Sequence, residues 1–212
     1  MKRPWDIWSE RVTKNIEHEW GTPQEKRGRR MSVMKHIVEM IDYDEVLDVG
    51  CGFGHLLYAL RRWQDDDFDY LGFDSSKAMI KRAKKYFPEE KEKFVIGDVF
   101  KASEQFKPWD CVVASDLIIH LPEQLKVLKE LWVVTKKTLI VTFKLAPKSV
   151  RYTPSIHRST AGTLKFPKGK YVIYQWNSIE DVNDMIAQLD DVKKVERKRY
   201  DARTEIFKIT RG

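Results

Sequence analysis

Between residues 45 and 143 the chain alternates two kinds of hydrophobic pattern. Short, nearly unbroken apolar runs fall at 45–49, 70–73, 94–96, 111–115 and 138–143. Runs of that length and continuity are typical of strands in a parallel sheet covered on both faces. Between them, at 56–63, 76–86 and 122–134, apolar residues recur every three or four positions, which predicts amphipathic helices. Only a short turn or helix fits 102–106. Strand and helix in alternation predict an α/β fold built on a doubly wound, mostly parallel sheet.

The ends of the chain add to this frame. After Asn177 or Ser178 as N-cap, Val182, Met185, Ile186 and Leu189 share one helix face, and 192–200 and 204–210 then read as two strands of an antiparallel hairpin, making seven in all. At the other end Trp5, Trp8, Val12 and Ile16 recur at helical spacing up to a stop at Gly21. Thr22-Pro23-Gln24-Glu25 then has the form of a capping box opening a second helix, with Met34, Ile37, Val38 and Ile41 on its apolar face. Residues 146–170 form the longest stretch without periodicity and are expected to be irregular.

The first strand runs into Asp48-Val49-Gly50-Cys51-Gly52-Phe53-Gly54. Glycines at alternate positions between a strand and a helix let the backbone turn tightly and pass close to a ligand, and the helix start offers unpaired N–H groups there. That arrangement suits a nucleotide-like cofactor. The second strand ends at Asp74, where a ribose diol is usually held. A dinucleotide site would need two residues before its third glycine; here Phe53 alone separates Gly52 from Gly54, which disfavours a dehydrogenase.

The Asp48-x-Gly50-x-Gly52-x-Gly54 pattern resembles the first motif of the class I S-adenosylmethionine-dependent methyltransferases, a Rossmann-like family, and the resemblance extends over most of the chain. It implies S-adenosyl-L-methionine as cofactor and no metal. By this resemblance Asp48, Gly50, Cys51, Gly52 and Gly54 belong to the loop under the methionine part, Asp74 with Ser75 to the ribose site, and Asp98 with Val99 to the adenine site, with Ser115 completing the cofactor set after the fourth strand. It also implies that the N-terminal helices form a lid. Trp5, Trp8 and Trp20 are then candidates to face a sulfonium, or simply to pack a helix onto the core. Arg29 and Arg30 are candidates for the cofactor carboxylate, with a solvated helix face as their expected role.

With 212 residues the chain is of single-domain size: N-terminal helices over 1–43, a cofactor core over 44–144, a flap over 145–177, and a last helix and hairpin over 178–212. No apolar run is long enough for a membrane span and charges interrupt the first 21 residues, so the expected location is the cytoplasm. Two cysteines, Cys51 and Cys111, indicate neither a disulfide framework nor a zinc site. The net charge of +7 is compatible with an anionic partner.

The distribution of that charge is more informative. From Lys144 to Ile179 there is no Asp or Glu, but there are Lys148, Arg151, Arg158, Lys165, Lys168 and Lys170, with His157, Tyr152, Tyr171 and Tyr174 among them. In a doubly wound fold this stretch lies at the carboxyl ends of the strands, so it is expected either to attract a phosphate- or carboxylate-bearing acceptor or to be a solvated loop. After the fourth strand, Ser115-Asp116-Leu117-Ile118-Ile119-His120 is similar to the segment in phosphoethanolamine methyltransferases where a histidine four residues after an aspartate acts at the acceptor. His120 is the candidate general base, oriented by Asp116; the alternative is that both support the loop and the next helix.

Three functions stand at this point. The first is methyl transfer to a small anionic acceptor. The second is RNA methylation, using the basic runs at 26–30 and 193–203; the absence of an Asn-Pro-Pro-Tyr or Asp-Pro-Pro-Tyr segment after strand four speaks against an exocyclic base amine, and no cysteine is placed to attack a pyrimidine. The third is a module that binds the cofactor without turnover. Oligomeric state is not legible in the sequence.

Overall fold

The computed structural model describes residues 9–25, 29–64, 68–154, 156–159, 162–165, 168 and 170–212. Five parallel strands form the centre: β1 (Glu45–Val49), β2 (Asp69–Asp74), β3 (Phe94–Ile96), β4 (Trp109–Ala114) and β5 (Thr135–Lys144). The flap contributes four short strands, β6 (Val150–Tyr152), β7 (Ile156–Ser159), β8 (Gly162–Lys165) and β9 (Tyr174–Trp176), and the chain ends in β10 (Val192–Arg199) and β11 (Thr204–Arg211). The main sheet has seven strands in the order β10-β11-β5-β4-β1-β2-β3. β11, inserted between β5 and the edge strand β10, runs antiparallel to both. The order reverses between β1 and β4, and a crevice opens there at the carboxyl ends of the strands.

The helices are α1 (Glu10–Trp20), α2 (Arg29–Val38), α3 (His55–Trp63), α4 (Lys77–Tyr86), α5 (Ala102–Gln105), α6 (Gln124–Val133) and α7 (Ile179–Ile186). One core lies on the face of the sheet covered by α6 and α7, with Leu128, Leu131, Phe143 and Phe207 at its centre. A second lies on the opposite face under α2 and α3, around Ile37, Leu57, Leu60 and Phe94. A third, smaller cluster joins Val12 and Ile16 of α1 to Phe53 of the glycine turn, Met79 of α4 and Val172 of the flap. Through this cluster α1 lies across the crevice. The helix starts at Ser9, whose side chain accepts from the Val12 N–H, and stops at Gly21 with φ 74°.

The strand periodicities are met to within a few residues, and two expectations are corrected. The capping box does not open a helix. Glu25 Oε2 does accept the Thr22 N–H at 3.1 Å, but the Glu25 N–H goes to the Thr22 carbonyl, so the motif closes a turn and α2 begins at Arg29. Nor is 146–170 irregular: β6 pairs with β9 and β7 with β8, both antiparallel. These strands are only three or four residues long, too short for a hydrophobic period to show. Trp5 and Trp8 lie outside the described residues. No helix among the described residues is long and apolar enough to cross a membrane.

Candidate active site

Three glycines with positive φ set the floor of the crevice. Gly50, Gly52 and Gly54 have φ of 70°, 56° and 84°, a conformation that costs other L-residues about 1–2 kcal/mol each. Gly50 and Gly52 face the cleft; a Cβ on Gly52 would meet only Trp20, at 3.7 Å. Gly54 is different. It caps α3 behind the cleft, where a Cβ would lie 2.8 Å from both Phe87 Cε2 and Phe94 Cζ. The turn hangs from β2, since the N–H groups of Gly50 and Cys51 both donate to the Phe73 carbonyl, at 2.8 and 3.0 Å.

Asp74, at the end of β2, ties this turn to α4. Its carboxylate accepts the Ser76 N–H at 2.8 Å and the Gly52 N–H at 3.2 Å. Asp98 stands across the cleft, accepting the Phe100 N–H at 3.1 Å, and Phe73, Met79, Val99 and Phe100 make an apolar wall between the two acids. Ser75 and Ser115 complete the lining. Ser115 is 5% exposed, and its Oγ has no hydrogen-bond partner among the described residues.

Two of the expected cofactor residues turn their side chains away from the cleft. Asp48 accepts the Tyr70 hydroxyl at 2.7 Å beneath the turn, and burial pushes its carboxyl up to about 7, partly opposed by that hydrogen bond. Gly72 leaves room for this contact: a Cβ there would lie 2.7 Å from the Tyr70 hydroxyl and 2.9 Å from Cys51 Cβ. The Cys51 thiol is buried in the same place, and burial raises its pKa well above the ordinary value. His55, first residue of α3, is also buried; burial and then the Arg30 charge lower its pKa to about 3, against a hydrogen bond to the Gly21 backbone.

The expectation that Asp116 orients His120 is corrected. Asp116 Oδ2 accepts from Arg30 Nη1 at 2.7 Å, while its Oδ1, also buried, has no partner among the described residues. Its backbone has φ 51°, a rare conformation for a non-glycine residue, and its N–H donates to Thr142 Oγ1 at 2.7 Å. Arg30 is therefore not on a solvated helix face. Its side chain is 10% exposed and its guanidinium lies 4.4 Å over the Trp20 ring. His120 is held by the flap instead, its Nδ1 lying 2.8 Å from the Ile173 carbonyl. A carbonyl only accepts, so Nδ1 carries the proton and Nε2 of the neutral ring bears the lone pair.

Trp20, Arg30, Asp116 and His120 also form one wall of a second cavity, of about 610 Å³. Its other walls come from α1 (Glu19), from β9 (Tyr174 and Trp176), from the end of β5 (Lys144) and from the β10–β11 turn. The flap charges are distributed differently from the sequence expectation. Arg151 is engaged with the Pro122 carbonyl at 2.6 Å and Gln175 Oε1 at 2.7 Å, and Lys148 and Lys168 are exposed. The side chains of His157, Arg158 and Lys165 lie outside what is described. Arg203 joins Arg30 and Lys144 as a third cation at this cavity; the sequence reading places it in a basic run for RNA and not at the acceptor. Topology gives the signal for it: β11 runs antiparallel to β5 with Thr204 opposite Lys144, so the turn before β11 must lie at the carboxyl end of β5.

Comparison with known proteins agrees with this fold. The profile of a family described as a methyltransferase domain matches residues 46–138. The chain is similar to the sterol 24-C-methyltransferases of Debaryomyces hansenii and Candida albicans, each 26% identical over an alignment 141 residues long that covers 59% of this chain. The match spans only 37% of the length of those relatives. Among solved structures it resembles magnesium protoporphyrin IX methyltransferase from Synechocystis PCC 6803 with bound SAM, with a TM-score of 0.64 and 15% identity, covering 95% of this chain and 91% of that one. It also resembles the CcbJ methyltransferase of Streptomyces caelestis, with a TM-score of 0.65 and 15% identity over 93% and 95% of the two chains.

Proposed function

We propose that this chain, which belongs to the class I S-adenosylmethionine-dependent methyltransferases, moves a methyl group from that cofactor to a small anionic acceptor. One observation carries the reading: the cleft over the glycine turn and the second cavity share the wall of Trp20, Arg30, Asp116 and His120, so a donor in one and an acceptor in the other would meet there. The cofactor, when bound, supplies an activated methyl on a sulfonium sulfur.

The residues fit that cofactor. Asp74 would accept from the ribose hydroxyls and Asp98 from the adenine amino group, with the rings of Phe73 and Phe100 and the Met79 side chain against the base. At the opposite end three buried polar atoms, Ser115 Oγ, Asp116 Oδ1 and Arg30 Nε, have no partner among the described residues. A donor and an acceptor of opposite charge suit the carboxylate and ammonium of an amino-acid tail. His120 Nε2 would take the proton an acceptor hydroxyl or ammonium must lose. α1 and the flap would act as a lid, excluding water and holding the partners in line.

The described basic residues near the hairpin give RNA less support than their number implies. Lys198 pairs with Glu39, Arg197 and Arg199 with Glu205, and Lys208 with Asp42. A module without turnover is separated by experiment. S-adenosylhomocysteine at about a hundred times its dissociation constant should stabilise the protein by about 2.7 kcal/mol, visible in a thermal melt, and NAD should not. Asp74→Ala should weaken that binding by about 1.5–3 kcal/mol in a folded protein. Unchanged affinity removes Asp74 from the site, and cofactor binding with no methyl transfer to any small acceptor leaves the module reading in its place.

A further inference from the structure

The second cavity has two chemically different ends, set by one strand. Tyr174 and Trp176 are two residues apart in β9 and so project from the same face, roughly 7 Å from one another along the strand. At the Tyr174 end the His120 ring lies 5.3 Å away, and Glu19 is close by. This is the end that adjoins the cofactor cleft. At the Trp176 end the Arg203 guanidinium lies 4.7 Å over the indole, and the Lys144 ammonium is bonded to Thr204 Oγ1, on the residue next to Arg203.

Among the described residues the neighbouring acids do not cancel this second end. Asp116 is engaged by Arg30. Asp201 directs its Oδ1 to the N–H groups of Arg203 and Thr204, at 2.8 and 2.7 Å, and also faces the Lys144 charge, so its single negative charge offsets one of the two cations. Glu19 acts at the Tyr174 end, where it raises the tyrosine hydroxyl after burial has done so. A guanidinium stacked on an indole keeps its N–H edge available in the ring plane, a geometry that matches a planar oxyanion. The cavity between the ends is far larger than an isolated headgroup and is walled by Trp20, Tyr174, Trp176 and Tyr200.

We propose that the acceptor is an elongated organic oxyanion: its carboxylate or phosphate sits against Arg203 and Lys144, a planar apolar body fills the aromatic channel, and the methyl-accepting atom lies roughly 7 Å away beside His120. The choice of reacting end rests on the methyl-transfer reading above. The length and the position of the anion rest on the cavity alone.

The test is calorimetry on protein saturated with S-adenosylhomocysteine, using 4-hydroxybenzoate, 4-hydroxyphenyl phosphate, 2-hydroxybenzoate and 4-hydroxybenzamide. At least one para-substituted anion should bind about tenfold or more tighter than the neutral amide and than the ortho acid, whose two groups are too close to span the ends. Whichever of the two it is identifies the oxyanion. Arg203→Gln, in an exposed turn, should remove most of that preference, as should Lys144→Met, while S-adenosylhomocysteine affinity stays within about twofold. Equal binding of acid and amide, no binding of either para anion, or a preference that survives Arg203→Gln overturns the proposal. A protein that does not bind S-adenosylhomocysteine fails at the earlier reading instead.

Discussion

Asp48 and His55 are buried on either side of the glycine turn, with pKa values displaced in opposite directions. Asp48 moves from 3.8 up to about 7 through burial, so its contribution to stability is full below pH 3.8 and is lost as pH rises towards 7. His55 moves from 6.5 down to about 3, also through burial, so its contribution is full above pH 6.5 and is lost as pH falls towards 3. Between about pH 4 and 6.5 the folded protein keeps one proton on Asp48 that the unfolded chain has released, and lacks one on His55 that the unfolded chain has bound. The two slopes cancel. Asp48→Asn removes one of them, so the variant's stability should rise with pH across that window by about 1.4 kcal/mol per unit relative to the parent. Urea unfolding at a series of pH values checks this; parallel curves would mean that Asp48 is ionised in the fold. His120 acts at the same scale. Its Nδ1 is committed to the Ile173 carbonyl, so on the proposed methyl-transfer reading His120→Gln should lower kcat with little change in cofactor affinity, as steady-state kinetics beside a cofactor titration would show.

The glycine turn shows how one element divides its tasks between residues of the same type. Gly52→Ala meets only the left-handed backbone cost of about 1–2 kcal/mol, because the space above it is open as far as Trp20. Gly54→Ala meets that cost and a collision with Phe87 and Phe94, which adds about 1–3 kcal/mol. Denaturant titration should therefore rank Gly54→Ala as the more destabilising, and cofactor titration should rank Gly52→Ala as the more damaging to binding. The opposite ranking in both would exchange their roles. The flap is an element of another kind, held by buried amides. Asn177 Nδ2 donates to Gln124 Oε1 at 2.8 Å, and Gln124 Nε2 donates to the Ile118 carbonyl at 3.1 Å. The turn carrying His120 is thereby joined to the strand register that sets the flap.

For the whole molecule, α1 packs beside the sheet through a small set of contacts. It rests on the small cluster around Phe53 and on Arg82 of α4, which bonds Glu10 at 2.7 Å and Glu17 at 3.0 Å. Arg82→Met should leave the main thermal transition almost unchanged, because Glu10 is exposed and Glu17 half-buried, and pairs of that kind contribute little to it. Amide exchange over 12–16 should quicken, and S-adenosylhomocysteine should dissociate faster. A variant with unaltered exchange and unaltered dissociation would show that α1 is held without its Arg82 pairs. The edge of the sheet has its own protection: β10 places Lys193, Lys194, Lys198 and Arg199 along the outermost strand, a charged border that resists pairing with other chains.

The sequence by itself determined the alternation of strands and helices, the glycine turn after β1, the acids at the ends of β2 and β3 and the closing hairpin. Each of these is a local signal, carried by hydrophobic period or by a residue type that a backbone conformation requires. The tertiary structure alone decided which of the marked residues meet. Arg30 and Asp116 are 86 positions apart and pair only because α2 folds over the crevice. His120 takes its orientation from the backbone carbonyl of Ile173, a group every residue has and no sequence pattern can single out. Asp48 matches a cofactor motif yet lies beneath the turn, because Gly72 leaves space for the Tyr70 hydroxyl to reach it. Arg203 joins Lys144 at the second cavity through the register of β11 against β5. Such contacts depend on chain paths and register over long separations, and hydrophobic periodicity, a local property, carries no information about them.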